Sequence, residues 1–87
     1  MKRIYNDIPL RSVLYLIGGN QRIKVRNYHT QNDLLWNTDK YTCEFDGLAK
    51  DFYGYRYSVI EKAKVHRIDV LDDGSILFSI STAFEQF

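Results

Sequence analysis

The residues able to do chemistry are few and scattered. Cys43 is the only cysteine, and the only histidines, His29 and His66, stand 37 positions apart. A nucleophile needs a base beside it, and the spacing of these three residues supplies none. Cys43 lies between Thr42 and Glu44 in an alternating run, the setting of a small strand hydrophobe. Zinc needs clustered Cys or His ligands, and no C-x-x-C occurs. Asp69, Asp72 and Asp73 in "DVLDDGS" lack the spacing and terminal Glu of an EF-hand loop, and their Asp-Gly is ordinary turn chemistry. "LIGGNQR" holds the one Gly-Gly pair, without either glycine pattern that cradles phosphates. The sequence therefore predicts no catalytic residue, no metal and no cofactor. It reads as a protein that binds, not an enzyme.

Three stretches have the composition of contact surfaces. "DFYGYRYSV" carries Tyr53, Tyr55, Arg56 and Tyr57. Tyr and Arg bury large areas while keeping a polar end, so they anchor interfaces; the competing reading packs the tyrosines on a sheet. Arg22, Lys24 and Arg26 share one face of an alternating run. They form either a solvated outer face or a phosphate-contacting stripe, with Tyr28, His29 and Trp36 as base-stacking neighbours. Asp69, Asp72 and Asp73 form a soluble turn or an acidic tip that imitates phosphates in a nuclease groove. Charge is uneven along the chain. Residues 1–30 hold six Lys/Arg against one acid, and residues 31–87 hold six against ten. Such asymmetry can orient a partner.

Positioning these residues falls to one domain, 1–87, since 87 residues are domain-sized. A chain this short buries only roughly 60% of its unfolded surface. A lone cysteine excludes an internal disulfide and favours a reducing compartment. "MKRIYNDIPL" lacks a secretory hydrophobic region, and no apolar run approaches the roughly 20 residues a bilayer requires. The expectation is a soluble protein of the cytoplasm with no membrane contact.

In "DIPLRSVLYLIGG", Leu10, Val13, Leu14 and Ile17 fall at i, i+3, i+4 and i+7, which predicts a helix of about ten residues. Pro9 suits its first turn and Gly18–Gly19 its C-cap. "QRIKVRNY" alternates as a half-buried strand, "HTQND" reads as a turn and "LLWN" as a second strand closing a hairpin. "TDKYTCEFDG" alternates again, as a further strand or a continuation of the second. Over "GLAKDFYGYRYSVIEKA" a helical turn at Leu48–Tyr53 and a strand across Tyr53–Val59 read equally well. The last elements are a hairpin. Val65, Ile68 and Val70 mark one arm and Ile76, Phe78 and Ile80 the other, around Asp-Asp-Gly-Ser. The change of parity after Val65 predicts a bulge near His66–Arg67. All these apolar positions, with Ile23 and Val25, are expected in the core. The fold class is α+β: an antiparallel sheet of four or five strands with one N-terminal helix packed on a face.

In this order, "IPLRSVLYLI", "QRIKVRN", "FDGLAKDF" and "VHRIDVLDDGSILFSIS" resemble small proteins of phages and mobile elements of Gram-positive bacteria. The resemblance covers most of residues 9–81. Its motifs are structural, so no functional residue is carried over, and the segment after Asp51 is longer and more aromatic than the pattern. It implies a setting in which inhibitors of host defence, such as anti-CRISPR proteins, occur. The expectation is a stoichiometric inhibitor of a host nuclease or its guide-RNA complex. Alternatives are a nucleic-acid-binding accessory protein on the basic strand and a phage structural or assembly subunit.

Overall fold

The computed structural model describes residues 8–52 and 57–82. Its elements are α1 (Leu10–Leu14), β1 (Arg22–Tyr28), α2 (Gln31–Trp36), β2 (Tyr41–Leu48), a 3-10 turn (Ala49–Asp51), α3 (Ser58–Lys62), β3 (Arg67–Val70) and β4 (Ile76–Ile80). The strands form one sheet in the order β2-β1-β4-β3. The α+β class and the strand number are as expected. The sheet is mixed, however, because β1 and β4 run parallel, Ile23 beside Ile76 and Asn27 beside Ile80. A parallel pair needs a crossover connection, and here the whole of α2, β2 and α3 supplies it.

β1 and β4 are the central strands, and their alternation sorts side chains to two faces. Ile23 and Val25 of β1 and Phe78 and Ile80 of β4 are buried with Leu10 of α1, Ile60 of α3, Phe52 and Val65. Helices α1 and α3 therefore cover this first face. On the second face Tyr28, Leu77 and Leu34 of α2 are buried, beside the small side chains Ser79 and Ser81. The expected one-helix layer is thus two layers. Leu77 has its own cover, and Tyr28 is 0% exposed. Tyr28 is therefore no base-stacking residue; its ring packs on Tyr41, with centroids 5.3 Å apart.

α1 is half the expected length. After Leu14 the backbone tightens into i→i+3 bonds, Leu16 N–H to Val13 O and Ile17 N–H to Leu14 O. The β-branched and aromatic residues lower the propensity that a longer helix needs. Leu10 N–H to Ala63 O and Val65 N–H to Ile8 O tie the helix entry to the chain before β3. Gly18 and Gly19 are not positive-φ caps. Gly19 instead lies so close to Lys50 that an added Cβ would sit 3.1 Å from the lysine Cβ. Gly74 does take positive φ, 88°, at the β3–β4 turn that Asp-Gly announced.

"LLWN" is helical, not a strand. Thr30 caps α2, its Oγ1 accepting from the Asp33 N–H at 3.1 Å. β1 and β2 still pair antiparallel, but with this helix between them and a bulge after Val25. The second bulge lies where the change of parity placed it. His66 N–H donates to Ser79 O while Arg67 pairs with the same Ser79. Beyond it, Ile68 and Val70 turn to the uncovered outer end of the first face. They are 38% and 75% exposed, not core.

Phe78→Ala should cost about 3–5 kcal/mol in urea unfolding, because a fully buried aromatic leaves a cavity. Val70→Ala should stay within about 0.5 kcal/mol. A large loss at Val70 would contradict the exposed placement of β3.

Candidate partner-binding surface

α2 has only six residues, too few to be stable alone. Side chains from outside hold it. At its start Thr30 and Asp33 exchange two bonds, the second from Thr30 Oγ1 to Asp33 Oδ2 at 2.9 Å. Thr38 Oγ1 donates to the other Asp33 oxygen at 3.0 Å. Asn37 ends the helix in the left-handed region, φ 53° and ψ 47°, which Asn tolerates better than most side chains. Its Oδ1 accepts from Tyr28 Oη at 2.9 Å and from Arg67 Nη2 at 3.1 Å. Arg67 Nη1 donates to Leu34 O at 3.0 Å, adding to the Asn37 N–H that this carbonyl also accepts, at 3.3 Å. One guanidinium on β3 thus clamps the C-terminal end of a helix inserted between β1 and β2.

The clamp turns Leu34 inward and leaves the next two side chains outside. Leu35 is 64% and Trp36 78% exposed. An exposed Trp beside an exposed Leu on an anchored backbone has the composition of an interface hot spot, and little backbone freedom remains to be lost on binding.

The basic strand is less open than its sequence suggests. Arg22 reaches one Asp46 oxygen with Nε and Nη2, at 3.1 and 2.9 Å. Lys24 Nζ lies 3.9 Å from Asp73 Oδ2. The Arg26 guanidinium sits 4.5 Å from the centre of the Tyr41 ring. Exposed pairs of this kind add about 0–1 kcal/mol each, so they matter less for stability than for the field. Acids alternate with the bases, and no continuous cationic track runs along β1.

Among the described residues the acidic tip meets the basic strand at one pair. Asp73 faces Lys24, and its Oδ1 also accepts the Ser75 N–H at 2.9 Å. That backbone bond, with Lys24 and Arg22 nearby, holds the Asp73 carboxyl below its ordinary value. Asp69 lies 3.4 Å from Arg67 Nε. Asp72 is exposed at the turn. Among the described residues no three His, Cys, Asp or Glu side chains gather as metal ligands do.

Tyr53, Tyr55 and Arg56 lie outside the described residues. Tyr57 is half-buried. It stacks on Phe52 with centroids 4.7 Å apart and meets Phe45 edge-on at 5.6 Å. Its ring closes the first-face core beside the crossover. Ser58 and Val59 belong to α3, which rules out a strand reaching Val59.

Trp36 was thus visible in the sequence, though as a neighbour of the basic strand. Leu35, Asn37 and Arg67 were not singled out. The Thr30-x-x-Asp33 spacing was the available signal, being a helix-start pattern ahead of an apolar run.

No family model, no curated protein and no solved structure matches this chain. Among the described residues no helix is long and apolar enough to cross a membrane.

Arg67→Met should expose the 34–37 amides to hydrogen exchange before the sheet opens. Its cost should be about 0.5–1.5 kcal/mol, because two hydrogen bonds are lost while Leu34 O and Asn37 Oδ1 each keep another donor. Unchanged protection there would show that the clamp is dispensable. Asp73 gives a pH test. Its folded pKa is depressed, so its contribution is present above the ordinary carboxyl value of 3.8 and is lost as pH falls through the lower folded value. Asp73→Asn should therefore flatten acid unfolding curves below that pH; identical curves would exclude the linkage.

Proposed function

We propose that this chain is a non-enzymatic protein-binding module that acts by stoichiometric occlusion. One observation carries the reading: α2 is fixed by side-chain bonds on three sides, yet offers Leu35 and Trp36 to solvent. Covering the second face accounts for Leu34 and for the anchors, but not for a leucine and a tryptophan left facing water on the same short helix. A partner with an apolar cleft does.

Among partners, the resemblance to small proteins of mobile elements favours a host-defence nuclease or its guide-RNA complex inside the host cell. An anti-CRISPR-like inhibitor needs a surface and no active site. Nucleic acid is the weaker reading, because Arg22 and Lys24 have acidic neighbours and Arg26 an aromatic one. Phosphate binding would have to displace those partners first.

Cleavage of target DNA by purified guide-loaded nucleases, titrated with this protein, should stop near one equivalent for the cognate enzyme. Trp36→Ala should raise the required concentration at least tenfold, equivalent to about 1.4 kcal/mol or more, with an unchanged unfolding midpoint. Full inhibition by the folded variant would remove Trp36 from the interface. Salt-sensitive binding to bare DNA, without effect on any nuclease, would favour the nucleic-acid reading instead.

A further inference from the structure

Among the described residues β3 closes one side of the sheet and has β4 as its one ladder partner. The bond from Leu71 N–H to Ser75 O sets the phase of that ladder. In an antiparallel pair the bonded positions alternate, so Asp69 and Arg67 point their backbone groups at β4. Ile68 and Val70 point theirs away, and among the described residues nothing receives them. Their apolar side chains are exposed on the first face, while the half-exposed Asp69 carboxylate, 3.4 Å from Arg67 Nε, stands between them on the second, where an incoming cation would share it with that guanidinium. Proline, a covering helix or a central bulge would blunt such an edge, and among the described residues Ile68–Val70 has none of them.

We infer that Ile68–Val70 is a strand-addition site. Its ligand is an extended protein segment that pairs antiparallel and carries a cation flanked by two β-branched residues. The two apolar residues lie opposite Ile68 and Val70 and exchange backbone bonds with them. The central Lys or Arg lies opposite Asp69 on the other face, where cross-strand neighbours approach closely. A second copy of this chain fits poorly. A two-fold axis at Asp69 sets that carboxylate against its own copy, and like charges directly opposite are destabilising. An axis at Ile68 sets Val70 against His66, whose N–H is already given to Ser79 O at 2.9 Å. The far edge, β2, is a poorer acceptor. Bonds from His29 N–H to Lys40 O and from Ala49 N–H to Gln21 O place its outward groups at Tyr41 and Cys43, then at Asp46 and Leu48. The bulge between them puts the two halves out of phase.

Arg67 links Asp69 to the end of α2, so Trp36 serves as the control signal in a test that needs no natural partner. The blocked peptide acetyl-Thr-Val-Lys-Val-Thr-amide is titrated into the isotope-labelled full chain and followed by amide NMR. The Ile68 and Val70 amides should shift saturably below about 1 mM peptide and slow in hydrogen exchange, while the Trp36 indole signal stays in place. Methylating both peptide valine nitrogens should weaken binding at least tenfold, since two backbone bonds are lost. Exchanging the central Lys for Glu should also weaken it, and Asp69→Lys should reverse that preference. No shift at Ile68 and Val70, equal binding of the methylated peptide, or shifts confined to α2 would each overturn the assignment. Because the methylated peptide is tested on the unaltered chain, the result stands even if Asp69→Lys does not fold. Failure here leaves the Trp36 reading intact, and loss of Trp36 function leaves this one intact.

Discussion

β1 and β4 sit side by side only because they run parallel, and the remaining architecture follows from that pairing. A turn cannot join parallel neighbours, so the chain must leave β1, form α2 and β2, cross the first face through α3, and return by β3. Both central strands then carry apolar side chains on each face, and each face needs a cover. The crossover brings α3 to the first face, where α1 joins it. Among the described residues, the β1–β2 connection is the one placed to cover the second. This explains why a helix interrupts what would otherwise be a plain hairpin, and why Arg67 reaches across from β3 to hold it.

How much of this could be read in advance depends on the range of each interaction. α1, β1 and the β3–β4 hairpin were legible because their signals are local: a spacing of three and four, alternation, and Asp-Gly between apolar runs. The His66–Arg67 bulge was legible for the same reason, as a slip in alternation. α2 was obscured because three apolar residues in a row satisfy either period, and its cap, four positions upstream, had to decide. The parallel pairing left no local trace, since its partners lie 53 positions apart. Without it, exposed Val70 and buried Leu77 could not be told apart from their sequence neighbours.

The candidate surface shows the same division. Aromatic excess and basic alternation were plain in the sequence, but their meaning depended on neighbours that only folding supplies. Asp46 and Asp73 come from other strands and turns to neutralise Arg22 and Lys24. Tyr28, read as a ring for stacking on bases, turned out to be a wall of the second core whose hydroxyl helps seat α2. Trp36 moved the other way, from a neighbour of a charged stripe to the most prominent side chain of a clamped helix.

The union of β1 with β4 also bears on the order in which the domain can form. β1, α2 and β2 are contiguous in the chain and can assemble as a local unit, as can the β3–β4 hairpin. Neither buries the first-face core by itself, because Ile23 and Val25 come from one and Phe78 and Ile80 from the other. Closing the long loop between them costs chain entropy before any core contact repays it, which places this small domain among slower folders than helical chains of its length. Until the two units dock, the inner edge of β1 remains as open as any outer one. The interval before docking, rather than the finished sheet, is when this chain is most exposed to pairing with the wrong strand.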